Sequence, residues 1–220
     1  MKKILIFLCI VALSGVEASF AQKDSLSKKE TGKLQLGIRS TMSAFSDDGA
    51  NGMGVGGQFR LKLGSRLNTD WFADYITTDI GGLAKRTDYH IGWSVLYYPF
   101  NNKIKKDKLT PYILAGHCFD YTQVHKNNFQ STALLNEADR WSSAAQCGLG
   151  AHYNLADNFD ISLTAQYMLH LGNAIDATVF TDEATGNKDV LIEKGDLGLE
   201  GHLLINLSLN VYIAKLWGGK

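Results

Sequence analysis

Leu203-Leu204-Ile205-Asn206-Leu207-Ser208-Leu209-Asn210-Val211-Tyr212-Ile213 is the stretch that decides the fold. Leu203, Ile205, Leu207, Leu209, Val211 and Ile213 make one set, and His202, Asn206, Ser208, Asn210 and Tyr212 make the other. The period is two rather than 3.6. That is the mark of a β-strand, in which successive side chains point to opposite faces.

The same period recurs outward along the chain. Leu34, Leu36 and Ile38 alternate with Gln35, Gly37 and Arg39, and Met53, Val55, Phe59 and Leu61 alternate with Gly54, Gly56, Gln58, Arg60 and Lys62. Trp71, Ala73 and Tyr75 alternate with Asp70, Phe72 and Asp74, and Tyr89, Ile91, Trp93 and Val95 alternate with His90, Gly92 and Ser94. Residues 112–121 read as a strand whose faces are ambiguous. Cys147, Leu149, Ala151 and Tyr153 alternate with Gln146, Gly148, Gly150 and His152, and Ile161, Leu163, Ala165 and Tyr167 alternate with Ser162, Thr164, Gln166 and His170. The result is eight strands of about 10–14 residues. Ordinary strands run nearer 5–6, whereas a tilted strand crossing a bilayer needs about 9–11.

Connections sort by parity in this reading. Those after even strands (64–68, 100–108, 156–158) are short, and the odd set (46–51, 79–85, 124–139, 172–198) holds both very long ones, the pattern of outer-membrane barrels. Trp71, Tyr75, Tyr89, Tyr97, Tyr153, Phe159 and Tyr167 supply aromatic girdles on the apolar face. Arg39, Arg60, Lys62, Gln146, Gln166 and Asn206 lie on the other face and are expected in the lumen, among many glycines. Lipid leaves no backbone polar group unpaired, so such a sheet must close. The expected fold is all-β: a transmembrane up-and-down antiparallel barrel of eight strands. A soluble lipocalin-like carrier is the architectural rival, and it would place the apolar face inside.

Met1-Lys2-Lys3, the apolar run 4–13 and Ser19-Phe20-Ala21 have the layout of a secretory signal peptide. The expected division is signal peptide 1–21, flexible leader 22–32 and barrel 33–217. Cys9 lies within the apolar run, not at the cleavage position, which argues against a lipid anchor. With 22 basic and 22 acidic residues the net charge is zero, so a strongly basic nucleic-acid binder is excluded. Beyond the first residues no stretch approaches the length of a membrane helix, which excludes a helical bundle.

Gly54-Val55-Gly56-Gly57-Gln58, Pro111-Tyr112-Ile113-Leu114-Ala115-Gly116 and Gly148-Leu149-Gly150-Ala151, with the signal peptide and loop parity, resemble the eight-stranded outer-membrane β-barrel domain family of porin-like proteins. The resemblance covers about residues 33–217. It implies a Gram-negative outer membrane, insertion by the barrel-assembly machinery, and the lipid bilayer itself as partner. One departure is the chain end: Trp217 is followed by Gly218-Gly219-Lys220, where such barrels commonly finish on an aromatic residue.

His90, His152, His170 and His202 alternate onto the inner face, with Glu200 beside them. His90, His170, Glu200 and His202 are weak metal candidates. A neutral network filling the lumen is the preferred reading, and no metal or cofactor is assigned. His170-Leu171-Gly172-Asn173 resembles the His-x-Ser-Asn motif of lipid A deacylases. Gly172 stands where that motif needs its nucleophilic hydroxyl, so no enzyme activity is expected. Cys118 and Cys147 flank the fifth connection symmetrically; a cross-strand disulfide and a pair of free wall thiols both fit. Lys105, Lys106 and Lys108 read as a solvated periplasmic turn. The leading function is a structural or interaction role through long external loops, with a ligand of unknown identity. A narrow pore or carrier for small or apolar solutes is the alternative, and a lipid-modifying enzyme is a remote one.

Overall fold

The computed structural model describes residues 31–45, 51–100, 109–127, 135–183 and 186–217. The expected signal peptide, nearly all of the leader, and Lys105, Lys106 and Lys108 lie outside the described residues. Eight strands succeed one another: β1 (Lys33–Phe45), β2 (Asn51–Lys62), β3 (Leu67–Ile80), β4 (Ala84–Tyr97), β5 (Leu109–Lys126), β6 (Glu137–Ala156), β7 (Phe159–Thr181) and β8 (Lys188–Lys215). Each pairs antiparallel with the next, and β8 returns to β1 to close the barrel. The closing seam runs from Lys33↔Lys215 to Phe45↔His202, with Ser40 opposite Leu207. Among the described residues the wall has no open sheet edge, as a hydrocarbon surrounding demands.

The surface is inverted relative to a soluble protein. Ile38, Val55 and Ile91 point outward and are 68%, 66% and 66% exposed, whereas Arg39, Arg60 and Lys62 on the other face are buried. The lipocalin-like arrangement is thereby ruled out. Outward aromatics form two rows that cross adjacent strands. In the first, Tyr75, Tyr89, Tyr121 and Trp141 stand opposite one another in register, with ring centroids 5.2, 6.1 and 4.8 Å apart. In the second, Phe59, Trp71 and Trp93 are spaced 5.9 and 6.3 Å. Amphipathic tyrosine and tryptophan rings like those of the first row suit the boundary between hydrocarbon and water.

The connections differ from the parity expected of them. Most of residues 172–198 are strand rather than loop: β7 and β8 extend to 23 and 28 residues and stay paired as far as Thr181 opposite Lys188. A register shift between Asn173 and Ile175 reverses the facing of the residues beyond it, so that Ile175 turns inward. Residues 79–85 shrink to a tight turn in which Gly81 and Gly82 take φ of 62° and 73°. Those angles suit glycine and disfavour any residue with a Cβ. The Asp79 carboxylate accepts from Gly82 N–H at 2.9 Å and closes the turn. β4 ends at Tyr97 and β5 begins at Leu109, so this even connection is not short. The asymmetry of the barrel therefore resides in strand length rather than loop length.

The extended strands carry their own core. Ala84, Val124, Ala138, Ile175, Val190 and Ile192 pack together, with Ile80, Leu83 and Ala177 against them. Lys126 ties β5 to β8 through Asp189 at 3.0 Å. The Lys126 ammonium and the Val190 N–H hold the Asp189 carboxyl below its usual range.

Candidate functional site in the barrel interior

An eight-stranded barrel has an interior about one layer of side chains wide, and strand β8 passes its levels in order. Val190 and Ile192 belong to the apolar cap at the hairpin end. Beneath them come Glu200, His202, Leu204, Asn206, Ser208 and Asn210, all directed inward. All six polar residues expected in the lumen, Arg39, Arg60, Lys62, Gln146, Gln166 and Asn206, are buried there.

The level nearest the start of β1 and the end of β8 centres on Asp160. Its carboxylate accepts from Gln35 Nε2 at 2.6 Å, Asn210 Nδ2 at 2.8 Å and Ser162 Oγ at 3.0 Å. It also pairs with Arg60 at 3.3 Å. His152 joins through Ser162 at 2.6 Å and Tyr98 at 2.7 Å, and stacks on Tyr112 with centroids 4.4 Å apart. Tyr112 lies where a Cβ on Gly150 would overlap its ring. Glycine in the wall is what lets a bulky side chain cross so narrow a space.

One level on, Arg39 pairs with Asp74 at 3.1 Å and lies over the Phe72 ring at 4.5 Å. Thr41 donates to Asn206 at 2.7 Å, Gln146 to Ser94 at 2.8 Å, and Gln166 to Gln146 at 3.2 Å. The void left among Arg39, Asp70, Tyr112 and Asn206 is about 10 Å³, scarcely room for one water. Then comes an apolar level of Phe72, Ile76, Cys118, Ala144, Met168 and Leu204. The inner face thus mixes polar and apolar levels.

Above it sit the histidines. His170 Nε2 faces His202 Nε2 at 3.0 Å. His170 Nδ1 lies 3.1 Å from Asp120 and 3.2 Å from Ser142 Oγ, and Ser142 also donates to Asp120. Ser43 Oγ meets His202 Nδ1 at 3.1 Å. His90 is 1% exposed, and neither of its ring nitrogens has a hydrogen-bond partner among the described residues. Ser142, His170 and Asp120 do not form a catalytic relay: hydroxyl and carboxylate share one ring nitrogen, whereas a relay needs them on opposite ones.

Glu200 departs from the expected histidine set, and the cysteines take one of the two arrangements that fit the sequence. Glu200 stands opposite His170 in register, yet its oxygens go to Arg86 at 2.7 Å and Arg140 at 2.6 Å. It clamps two guanidiniums and is not among the atoms that converge with the imidazoles. Cys118 pairs in register with Ala144, and Cys147 with Ala115. Cys118 is buried in the lumen, Cys147 lies on the other face, and no disulfide joins them. Residues on opposite faces of a sheet cannot meet disulfide geometry.

Asp120 and Ser142 carry no mark in the sequence that sets them apart. The signal lies in Cys118, Asp120, Thr122 and Val124, which alternate inward along β5 once its face is known.

The family model of the outer membrane protein beta-barrel domain matches residues 6–185. No curated protein matches the chain. Among solved structures the chain is similar to Neisserial surface protein A, at 12% identity and a TM-score of 0.53, covering 82% of this chain and 96% of that one. It is also similar to a major outer membrane protein of Thermus thermophilus, at 14% identity and a TM-score of 0.47, covering 82% and 99%. The attachment invasion locus protein Ail of Yersinia pestis stands at 10% identity and a TM-score of 0.43, covering 82% and 97%. At these identities the likeness concerns fold alone.

Proposed function

The chain belongs to the outer membrane protein beta-barrel domain family, and we propose that it is a closed, non-conducting envelope barrel acting in a structural or interaction role through the hairpins at one end. The observation that carries this reading is the succession of filled levels inside the barrel: Asp160 with Arg60, Arg39 with Asp74, the apolar level, the histidines and the Arg86–Glu200–Arg140 clamp. A solute crossing would have to part several buried ion pairs, each of which would leave uncompensated charge in a low-dielectric space.

The working surface lies instead on β5–β8, whose extensions rise on the core of Val124, Ile175, Val190 and Ile192. A folded platform of this kind presents its turns at low entropic cost to a partner. We place the end of the β7–β8 hairpin outside the cell and the 157–158 turn in the periplasm, with the bilayer and the barrel-assembly machinery as the general partners.

Orientation is tested with single cysteines. Glu183→Cys is expected to react with a membrane-impermeant thiol reagent on intact cells, and Asp157→Cys only after the outer membrane is opened. Equal labelling of both on intact cells would reject the placement.

A further inference from the structure

The histidine level has features that a merely space-filling network does not require. Ligand atoms of His90, His170 and His202 all lie within 4.8 Å of one another, and all three residues are buried. Two of the rings point the same nitrogen, Nε2, at each other across 3.0 Å. Two ligands on one tetrahedral zinc ion, at bonds of about 2.0–2.1 Å, stand about 3.3–3.4 Å apart. The observed separation is within a small side-chain adjustment of that value. His90 contributes the third ring, its centroid 6.1 Å from that of His170 and 5.8 Å from that of His202. Burying an imidazole with both nitrogens unbonded carries a desolvation cost, and a metal bond would remove it.

The outer contacts have the form seen around metal-bound histidines, where the second ring nitrogen is held by a carboxylate or hydroxyl. Asp120 accepts from His170 Nδ1–H, which leaves the Nε2 lone pair directed into the cluster. Ser43 holds His202 Nδ1. Its hydroxyl can accept as well as donate, so His202 can carry its proton on Nδ1 and free Nε2 with no net loss of a proton. Asp120 itself contacts His170, Ser142 and Thr122, none of which is charged while His170 is neutral. A dication on His170 would give this buried carboxylate a positive partner one ring away.

We propose that His90, His170 and His202 bind one divalent transition-metal ion of the zinc class inside the barrel. Three imidazoles suit Zn²⁺, Co²⁺, Ni²⁺ or Cu²⁺, whereas Mg²⁺ and Ca²⁺ require oxygen ligands. Glu200 is outside the donor set because Arg86 and Arg140 occupy it. The ion would pin β4, β7 and β8 together beneath the extracellular hairpins.

The test uses the full chain, free of any histidine tag, refolded from urea into detergent with Co²⁺ and then dialysed. Folding is scored separately by the shift in gel mobility on boiling. The wild type is expected to keep one Co²⁺ per chain, with visible ligand-field absorption that added Zn²⁺ abolishes. His90→Gln should weaken binding by at least about tenfold, and Asp120→Asn, which leaves all three ligands in place, by about 10–100-fold. Folded wild type that retains no metal would overturn the proposal. So would folded His90→Gln and Asp120→Asn proteins that hold Co²⁺ as tightly as the wild type. Conduction and labelling are read independently, so failure here leaves the closed-barrel reading intact.

Discussion

Asp160→Ala is expected to destabilise the refolded barrel by about 3–5 kcal/mol, the range for removing one partner of a buried ion pair. Asp160 is the hub of the level nearest the start of β1 and the end of β8. Four side chains from four strands converge on it: Gln35 from β1, Arg60 from β2, Asn210 from β8, and Ser162 from its own strand, β7. Without the carboxylate, the buried Arg60 guanidinium loses its 3.3 Å ion pair with Asp160. Asn210 and Gln35 lose an acceptor in the same step. The double replacement Arg60→Met with Asp160→Leu removes both charges and is expected to recover part of the loss: it avoids the desolvation of two ions but leaves Gln35 and Asn210 without their acceptor. Reversible urea unfolding in lipid vesicles measures all three proteins. An Asp160→Ala barrel as stable as the wild type would mean that this level is hydrated rather than packed.

Leu207→Arg probes the opposite face of the same wall. Leu207 is 51% exposed and stands in register between Ser40 on β1 and Leu163 on β7, itself 57% exposed. Leu209, two positions further along β8, also points outward. If this face meets hydrocarbon, arginine there costs about 2–4 kcal/mol near the bilayer midplane. Leu207→Phe should change little. The same vesicle unfolding assay reads both. On a water-facing surface Leu207→Arg would be neutral, so a wild-type value would contradict the assignment of faces. The lumen offers no mild counterpart: Asn206 is 2% exposed and bonded to Thr41, so a larger or charged side chain would be overpacked there.

Leu203–Ile213 and its counterparts on the other strands made the barrel legible because one face must be apolar wherever lipid is met. Where lipid ends, that constraint ends too. Residues 172–198 contain Asp176, Thr178, Thr181 and Glu193, whose positions carry no outward apolar code, so the strands run on through a stretch that reads as loop. The shift at Asn173/Ile175 further breaks the count of two. Strand β5 mixes its faces: Ala115, His117 and Phe119 look outward or sideways while Leu114, Cys118 and Asp120 look inward. That ambiguity hid Asp120, the carboxylate that orients His170.

Inward-facing His90, His170 and His202 are legible from alternation, but their convergence depends on which strands adjoin across the lumen. Glu200 neighbours His202 in sequence and so reads as part of their set. Its carboxylate nevertheless pairs with Arg86 and Arg140, since two guanidiniums at the same level compete more strongly for a carboxylate than neutral imidazoles do. The cysteines illustrate the register sensitivity of a β-wall. Cys118 opposite Ala144 places Cys147 three positions further along β6, and an odd offset changes the face.

The proposed barrel is closed by its own side chains. Single-channel recording of the purified, folded protein in planar bilayers tests it most directly. The filled levels from Asp160 to the Arg86–Glu200–Arg140 clamp predict no stable conductance steps above those of the bare bilayer. Reproducible, long-lived open steps from protein shown to be folded by its gel mobility would contradict it.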